Sequence, residues 1–113
     1  MTAMITAVHL ACLSMLESGD NDRAVGASGE VTRWQIMPRL YTGQNPANQT
    51  EARRVVFTEW ERRAEAFTRH HHQLPTCRQL YLLWACPSRV EHPQRAKLER
   101  ATRFENLCKI SKP

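Results

Sequence analysis

The chain opens with a segment that is apolar on nearly every side of a helix. Between residues 3 and 17 only a narrow polar edge interrupts the apolar positions. A helix this apolar all round is expected to be buried. Gly19 suits the end of such a helix, because glycine adopts the left-handed backbone without steric cost. The apolar positions are Ile5, Val8, Leu10, Cys12, Leu13, Met15 and Leu16.

A second periodic pattern begins near Asn48, which forms with Glu51 a start that resembles a capping box. Apolar residues then recur at helical spacing, while arginine and glutamate side chains occupy the opposite face. We predict an amphipathic helix from about residue 48. Its expected inward face consists of Ala52, Val56, Trp60, Ala64 and Phe67.

Prolines bound the last two predicted helices. Pro75 interrupts the chain, Thr76 can cap a short helix, and Pro87 ends that helix. Pro93 suits the first position of a final helix. The expected inward residues are Leu80, Leu83 and Trp84 in the short helix, and Leu98, Ala101, Phe104 and Cys108 in the final one.

Turn-forming residues dominate the stretch from 19 to 47, which carries all four glycines and two prolines. Short apolar pieces around Val31 and Ile36 allow a small hairpin over residues 30–36. The predicted fold is therefore mainly α, with about four to five helices and a small irregular or β-hairpin lobe after the first. We find no repeat or linker, so residues 1–113 are expected to form a single domain.

Composition limits the partners of the chain without selecting one. The 113 residues include 16 Lys plus Arg against 11 Asp plus Glu, a net charge of +5. That charge suits an acidic partner, such as a cell-wall polymer, nucleic acid or an anionic membrane surface. No segment approaches the roughly 18 to 20 apolar residues of a membrane span. The apolar start lacks the basic residues of a signal peptide, so we interpret it as structure.

Cysteines and histidines give no metal motif by spacing. Cys12, Cys77, Cys86 and Cys108 are widely separated, which is compatible with two disulfides or with four thiols. The triplet at residues 70–72, together with His92, contains no zinc-type ligand pair. We therefore expect no metal and no cofactor.

Glu17 is the acid whose position is most suggestive. It follows Leu10 and Leu13 on one stripe of the first helix and lies near that helix's C-terminal end. Burial and the helix dipole both favour the neutral acid at such a place, which is the form a general acid needs. The alternative is an ordinary solvated carboxylate at a helix end.

Four short elements follow one another along the chain: Glu17-Ser18, Arg23-Ala24-Val25-Gly26, Gly29-Glu30 and Gln35-Ile36-Met37-Pro38. In this order they resemble the N-terminal half of lysozyme-like lytic transglycosylases, which share a fold with goose-type lysozymes. The short segment 81–85 stands where the family carries Ala-Tyr-Asn-Ala-Gly, with Trp84 in place of the tyrosine and Ala85 in place of the asparagine.

The resemblance implies an α+β lysozyme-like fold and a single-glutamate mechanism on peptidoglycan. Glu17 would protonate the oxygen between N-acetylmuramic acid and N-acetylglucosamine, then act as base while the muramoyl C6 hydroxyl attacks. Glu30 is a possible second carboxylate that would favour hydrolysis, or else a structural acid that bonds hairpin amides. The resemblance and neighbouring positions give the expected substrate-binding residues Ser18, Trp34, Gln35, Ile36, Met37 and Trp84.

Two further aromatic residues are expected to serve packing. Trp60 lies in the middle of an apolar helical stripe, and Tyr81 is expected to pack with its hydroxyl at the surface. The expected partner is the peptidoglycan glycan strand, bound by a monomer in the periplasm or outside the cell after export by a signal or route not visible here. Alternatives are a hydrolytic lysozyme, a non-catalytic peptidoglycan-binding module and, least favoured, a nucleic-acid binder.

Overall fold

The computed structural model describes residues 3–111, and α-helices dominate it, as the periodicity predicts. Within these residues no helix is both long enough and apolar enough to span a membrane. Two 3₁₀ turns, Pro38–Leu40 and Pro87–Arg89, interrupt the connections. The α-helices are α1 (Ala7–Ser18), α2 (Gln49–His71), α3 (Cys77–Ala85) and α4 (Arg95–Ser111).

Helix α1 begins four residues later than the apolar pattern predicts. The amides of Met4 and Ile5 each donate to the Glu61 carboxylate at 2.9 Å, which holds this stretch against α2 in a non-helical conformation. Thr6 then caps α1 in a capping box with His9. The predicted end is confirmed, because Gly19 takes the left-handed conformation with φ 64°.

The prediction that α1 is buried on all sides is wrong at Met15, whose residue surface is 50% exposed. Leu10, Cys12 and Leu13 are buried as predicted. The other helices and the loop after α1 pack against one side of it only. The exposed side therefore reaches solvent despite its apolar sequence.

Helix α2 carries the predicted inward face without exception, since all five of its named apolar residues are buried. Asn48 caps the helix and accepts from the Glu51 amide at 3.1 Å. The Glu51 carboxylate accepts from the Asn45 amide instead of the Asn48 amide, so only half of the expected capping box forms. The helix ends at His71, and His72 after it is the C-cap residue, with φ 57°.

Thr76 caps α3 in a full capping box, and α3 ends before Pro87 as predicted. Helix α4 departs from its prediction at two positions. Its first carbonyl acceptor is that of Gln94, so Pro93 precedes the helix and does not occupy its first turn. Leu98 is 43% exposed, while the other three predicted inward residues of α4 are buried.

Aromatic side chains form the centre of the core where α2, α3 and α4 meet. Trp60 is fully buried as predicted, and its ring centroid lies 5.9 Å from that of Phe104 and 6.1 Å from that of Trp84. Its indole N–H donates to the Leu80 carbonyl at 2.7 Å. This contact fixes α3 against α2 and so places the C-terminal end of α3.

The lobe between α1 and α2 is irregular. Val31 and Ile36 exchange two backbone hydrogen bonds of 2.9 and 2.8 Å, and Val25 forms a second antiparallel bridge with Val31. These are single bridge pairs, and no longer strand forms within residues 3–111. The expected hairpin over residues 30–36 is thus reduced to one bridge closed by a tight turn.

Candidate functional site

A cleft of about 140 Å³ lies where the irregular lobe meets the C-terminal ends of α1 and α3. Helices α2 and α4 contribute one basic residue each to its wall. Five of the residues that the sequence assigns to a site meet here, although they come from separate parts of the chain. The lining residues are Glu17, Glu30, Gln35, Met37, Leu40, Arg63, Trp84, Ala85 and Lys97.

The Glu17 carboxylate is held from two other helices. The Tyr81 hydroxyl of α3 donates to one oxygen at 2.9 Å, and Arg100 of α4 pairs with the other at 3.3 Å. The Glu17 side chain is 17% exposed, so it faces the cleft without being freely solvated. A carboxylate fixed on both oxygens can present itself to a ligand in only one orientation.

Tyr81 belongs to this site, which corrects the expectation of a surface hydroxyl. The residue is fully buried. Its hydroxyl oxygen accepts a hydrogen bond from Arg100 Nε at 3.0 Å, and its hydroxyl hydrogen is donated in a hydrogen bond to the Glu17 carboxylate. Burial, reinforced by the neighbouring Glu17 charge, raises the pKa of Tyr81 far above its usual range. The hydroxyl therefore remains protonated and acts as a donor.

Arg100 is the second residue that the sequence analysis missed. Besides Glu17 and Tyr81 it contacts the last turn of α1, donating to the Leu16 carbonyl at 3.1 Å. A signal does exist in the sequence, because Arg100 lies four residues before the buried Phe104 and so shares its helical stripe. An arginine on such a stripe is expected to have an acidic or carbonyl partner.

The lobe supplies Gln35 and Glu30 through a turn that depends on Gly26. The backbone of Gln35 is left-handed, with φ 51°. Its side-chain amide donates to the backbone carbonyls of Ala24 and Thr32 at 3.2 and 2.9 Å. A methyl group at Gly26 would lie 2.6 Å from Gln35 Oε1 and 2.9 Å from Glu30 Oε2. Glycine at position 26 thus gives these two side chains the room they occupy.

Glu30 combines the two interpretations left open by the sequence. One of its oxygens accepts from the Ser28 amide at 2.8 Å, as expected of an acid that stabilises a turn. The side chain nevertheless lines the same cleft as Glu17. It is therefore a structural acid placed where it can also contact a ligand.

Three predicted site residues do not line the cleft. Ser18 donates to the Arg33 carbonyl at 2.7 Å, and the buried Trp34 donates to the Leu10 carbonyl at 2.8 Å. Ile36 is fully buried in the core. Their assignment to substrate contact is revised, because these side chains instead attach the lobe to α1 and the core.

Only a small part of the Trp84 surface is exposed to the cleft. It is 8% exposed, its ring packs against Trp60, and the Arg63 guanidinium lies 5.0 Å from its centroid. Its indole N–H points toward the Trp34 carbonyl at 3.4 Å. With so little of the ring exposed, Trp84 contributes to the shape of the cleft more than to stacking.

Arg63 links this wall to α2 and the end of α3. It donates to the carbonyls of Leu83 and Trp84, both at 3.0 Å, and to the Glu59 carboxylate at 2.8 Å. The carbonyls at the end of α3 have no partners within their own helix, so an arginine there stabilises the helix end. Arg63 is thus both a cleft residue and a clamp.

The chain matches no family model, no curated protein and no solved structure. The resemblance to lytic transglycosylases is carried by the residues quoted above, chiefly those between Leu16 and Pro38.

Proposed function

We propose that the protein is a peptidoglycan-cleaving lytic transglycosylase, with Glu17 as its single general acid and base. One observation carries the proposal. Glu17, Glu30, Gln35, Met37 and Trp84, which resemblance and sequence position single out, line one cleft although they come from α1, the lobe and α3. Work on this substrate requires the protein to reach the periplasm or the cell exterior.

The proposed reaction uses the Glu17 carboxyl group twice. It first donates its proton to the glycosidic oxygen between N-acetylmuramic acid and N-acetylglucosamine, and the bond from that oxygen to muramoyl C1 breaks. The resulting carboxylate then accepts the proton of the muramoyl C6 hydroxyl, whose oxygen bonds to C1. The product is a 1,6-anhydro ring, and Glu17 ends the cycle protonated.

Tyr81 and Arg100 support the charge changes of this cycle. Each contacts one oxygen of Glu17, so both stabilise the carboxylate after its proton has left. Glu30, in the same cleft, is the group that would direct water to C1 if hydrolysis competes with ring closure.

A non-catalytic peptidoglycan-binding module is the second candidate, and two features favour it. Both Glu17 oxygens are engaged by Tyr81 and Arg100, and Ala85 stands where the family carries an asparagine that holds substrate. A cleft of this kind can bind glycan without cleaving it. The two candidates differ in whether soluble fragments are released.

Clearing of a purified cell-wall suspension separates these possibilities. We expect the wild type to clear it and Glu17→Gln to be slower by at least about 100-fold, since the amide cannot donate a carboxylic proton. Glu99→Gln is the matched control, because Glu99 lies on α4 outside the cleft with its side chain 60% exposed. Equal clearing by wild type and Glu17→Gln would exclude Glu17 from the mechanism. Pelleting with the wall without any clearing would favour the binding module.

A further inference from the structure

Cys77 and Cys108 lie beside His9, which is eight residues before Glu17 on α1. All four cysteines lie within the described residues, and none forms a disulfide. The Cys12 thiol also neighbours the Cys108 thiol, and it lies 3.9 Å from the Ser111 hydroxyl. Possible ligand atoms of His9, Cys77 and Cys108 all lie within 4.8 Å of one another.

These three residues come from three different helices. His9 lies in the first turn of α1, Cys77 is the first residue of α3, and Cys108 lies in the last turns of α4. Such a set has no local spacing motif, which is why the sequence predicts no metal here. The helix packing creates a cluster that a search for paired ligands cannot find.

We propose that His9, Cys77 and Cys108 bind a thiophilic metal ion, of which Zn²⁺ is the test case. Imidazole and thiolate are the ligands that such ions prefer. At ordinary zinc–ligand lengths the three atoms would sit roughly 3.6 to 3.8 Å apart, so binding requires a contraction of about 1 Å.

The surroundings fit an ion-binding role. A surface cleft of about 350 Å³ is lined by all three residues together with Thr6, Glu105 and Lys109, which gives an ion access from solvent. His9 Nδ1 accepts from the Thr6 amide at 3.0 Å and lies 3.2 Å from the Thr6 hydroxyl. Ion binding through Nε2 would move the ring proton to Nδ1, where the Thr6 hydroxyl would accept it in place of the contact with the Thr6 amide.

Ion binding would be linked to proton release. A bound cation stabilises thiolates, and their protons leave to solvent. Affinity should therefore rise with pH in the neutral range.

The same three helices also supply the groups of the cleft. Glu17 of α1, Tyr81 of α3 and Arg100 of α4 meet eight, four and eight residues away from His9, Cys77 and Cys108. An ion would thus join the three helices that align the Glu17 carboxylate. The metal proposal does not depend on the proposed reaction, and it can be tested on binding alone.

The test is a Zn²⁺ titration of the full chain, purified with reductant, against a chromophoric chelator. We expect one ion per chain, with an affinity that falls more than about 100-fold in Cys77→Ser and in Cys108→Ala. Cys86→Ser is the matched control, because Cys86 is equally half-buried but lies at the other end of α3. Circular dichroism of each variant checks that the helices persist.

The outcomes are distinct. One bound ion in wild type and Cys86→Ser, lost in the other two folded variants, supports the site. No ion in the wild type, equal affinity in all variants, or conversion of the cysteines to a disulfide with a mass loss of two hydrogens and no bound ion would each overturn it. If Glu17→Gln fails to affect clearing yet Zn²⁺ binds, only the proposed reaction is refuted.

Discussion

Tyr81 decides how the Glu17 carboxylate is oriented, because its buried hydroxyl joins that carboxylate to Arg100. Removing the hydroxyl in Tyr81→Phe leaves both partners short of a hydrogen bond in a buried place. We expect a loss of about 1 to 3 kcal/mol in the free energy of unfolding, measured by urea denaturation, and slower wall clearing by at least about tenfold.

The other tyrosine offers the control for that experiment. Tyr41 follows the 3₁₀ turn and does not line the cleft. The same deletion of a hydroxyl in Tyr41→Phe should leave the clearing rate as in wild type. A Tyr81→Phe protein that clears as fast as Tyr41→Phe would contradict the role we assign to Tyr81.

Gly26 separates the shape of the cleft from the stability of the fold. In Gly26→Ala the new methyl group would meet Gln35 and Glu30, whose long side chains can swing aside. We therefore expect little change in the thermal midpoint but reduced binding to peptidoglycan in a pelleting assay. Gly43→Ala should do the reverse, costing about 1 kcal/mol through its φ of 95° while leaving the cleft intact. Unchanged binding by Gly26→Ala would argue against Gln35 and Glu30 as contact residues.

At the scale of single residues, the sequence predicts a cleft residue correctly when that residue belongs to a short motif of neighbouring positions. Glu17, Gln35 and Met37 fall in short motifs and line the cleft. The local pattern does not predict Tyr81 or Arg100 as site residues, because their partners are distant in the chain. Tyr81 bonds to Glu17, 64 residues away, and Arg100 bonds to Leu16, 84 residues away. A tryptophan beside a motif can stack on a sugar or pack in the core, so the sequence alone does not distinguish these roles for Trp34. The packing of the lobe on α1 buries it.

Within α2, Glu59 forms an electrostatic contact with Arg62 and Arg63 that responds to acid. The hydrogen bond from Arg62, supported by Arg63 and opposed by burial, lowers the pKa of Glu59 to about 2. A depressed pKa means that the contact stabilises the fold above the ordinary value of 4.5 and is lost as pH falls toward 2. Because Arg62 is exposed, we expect a contribution of only about 1 to 2 kcal/mol.

Glu59→Gln should remove this acid-dependent part of the stability. Urea unfolding at several pH values between 2 and 7 is the measurement, and the wild type should lose more stability below pH 4.5 than the variant. Glu99→Gln, whose ion pair with Arg95 is exposed, is the control that should follow the wild type. Parallel curves for wild type and Glu59→Gln would contradict the assignment.

Element boundaries were predictable where the capping group is local. Gly19, Asn48 and Thr76 each act within three or four residues, and each ends or begins its helix as expected. The start of α1 is not predictable in this way, because the Glu61 carboxylate of α2 accepts hydrogen bonds from the amides of Met4 and Ile5. Such a long-range bond has no signature in the local pattern.

At the scale of the whole molecule, α1, α3 and α4 converge twice, once at Glu17 and once at the cluster of His9, Cys77 and Cys108. The periodicity predicted a mainly helical chain and most of its core, since those follow from burial of apolar stripes. It did not predict the thiol and imidazole cluster, because helix packing alone brings those residues together. The sequence allows either an irregular lobe or a β-hairpin after α1. The structure shows isolated bridge pairs there, which are too short to be strands.

Mass analysis of the fragments released from purified peptidoglycan tests the central claim most directly. Incubation with wild type should yield muropeptides with 1,6-anhydro ends, and Glu17→Gln should yield them at a rate lower by at least about 100-fold. Fragments with anhydro ends released equally by both proteins, or no fragments at all from a wild type that binds the wall, would contradict the assignment of Glu17 as the acid and base of a transglycosylase.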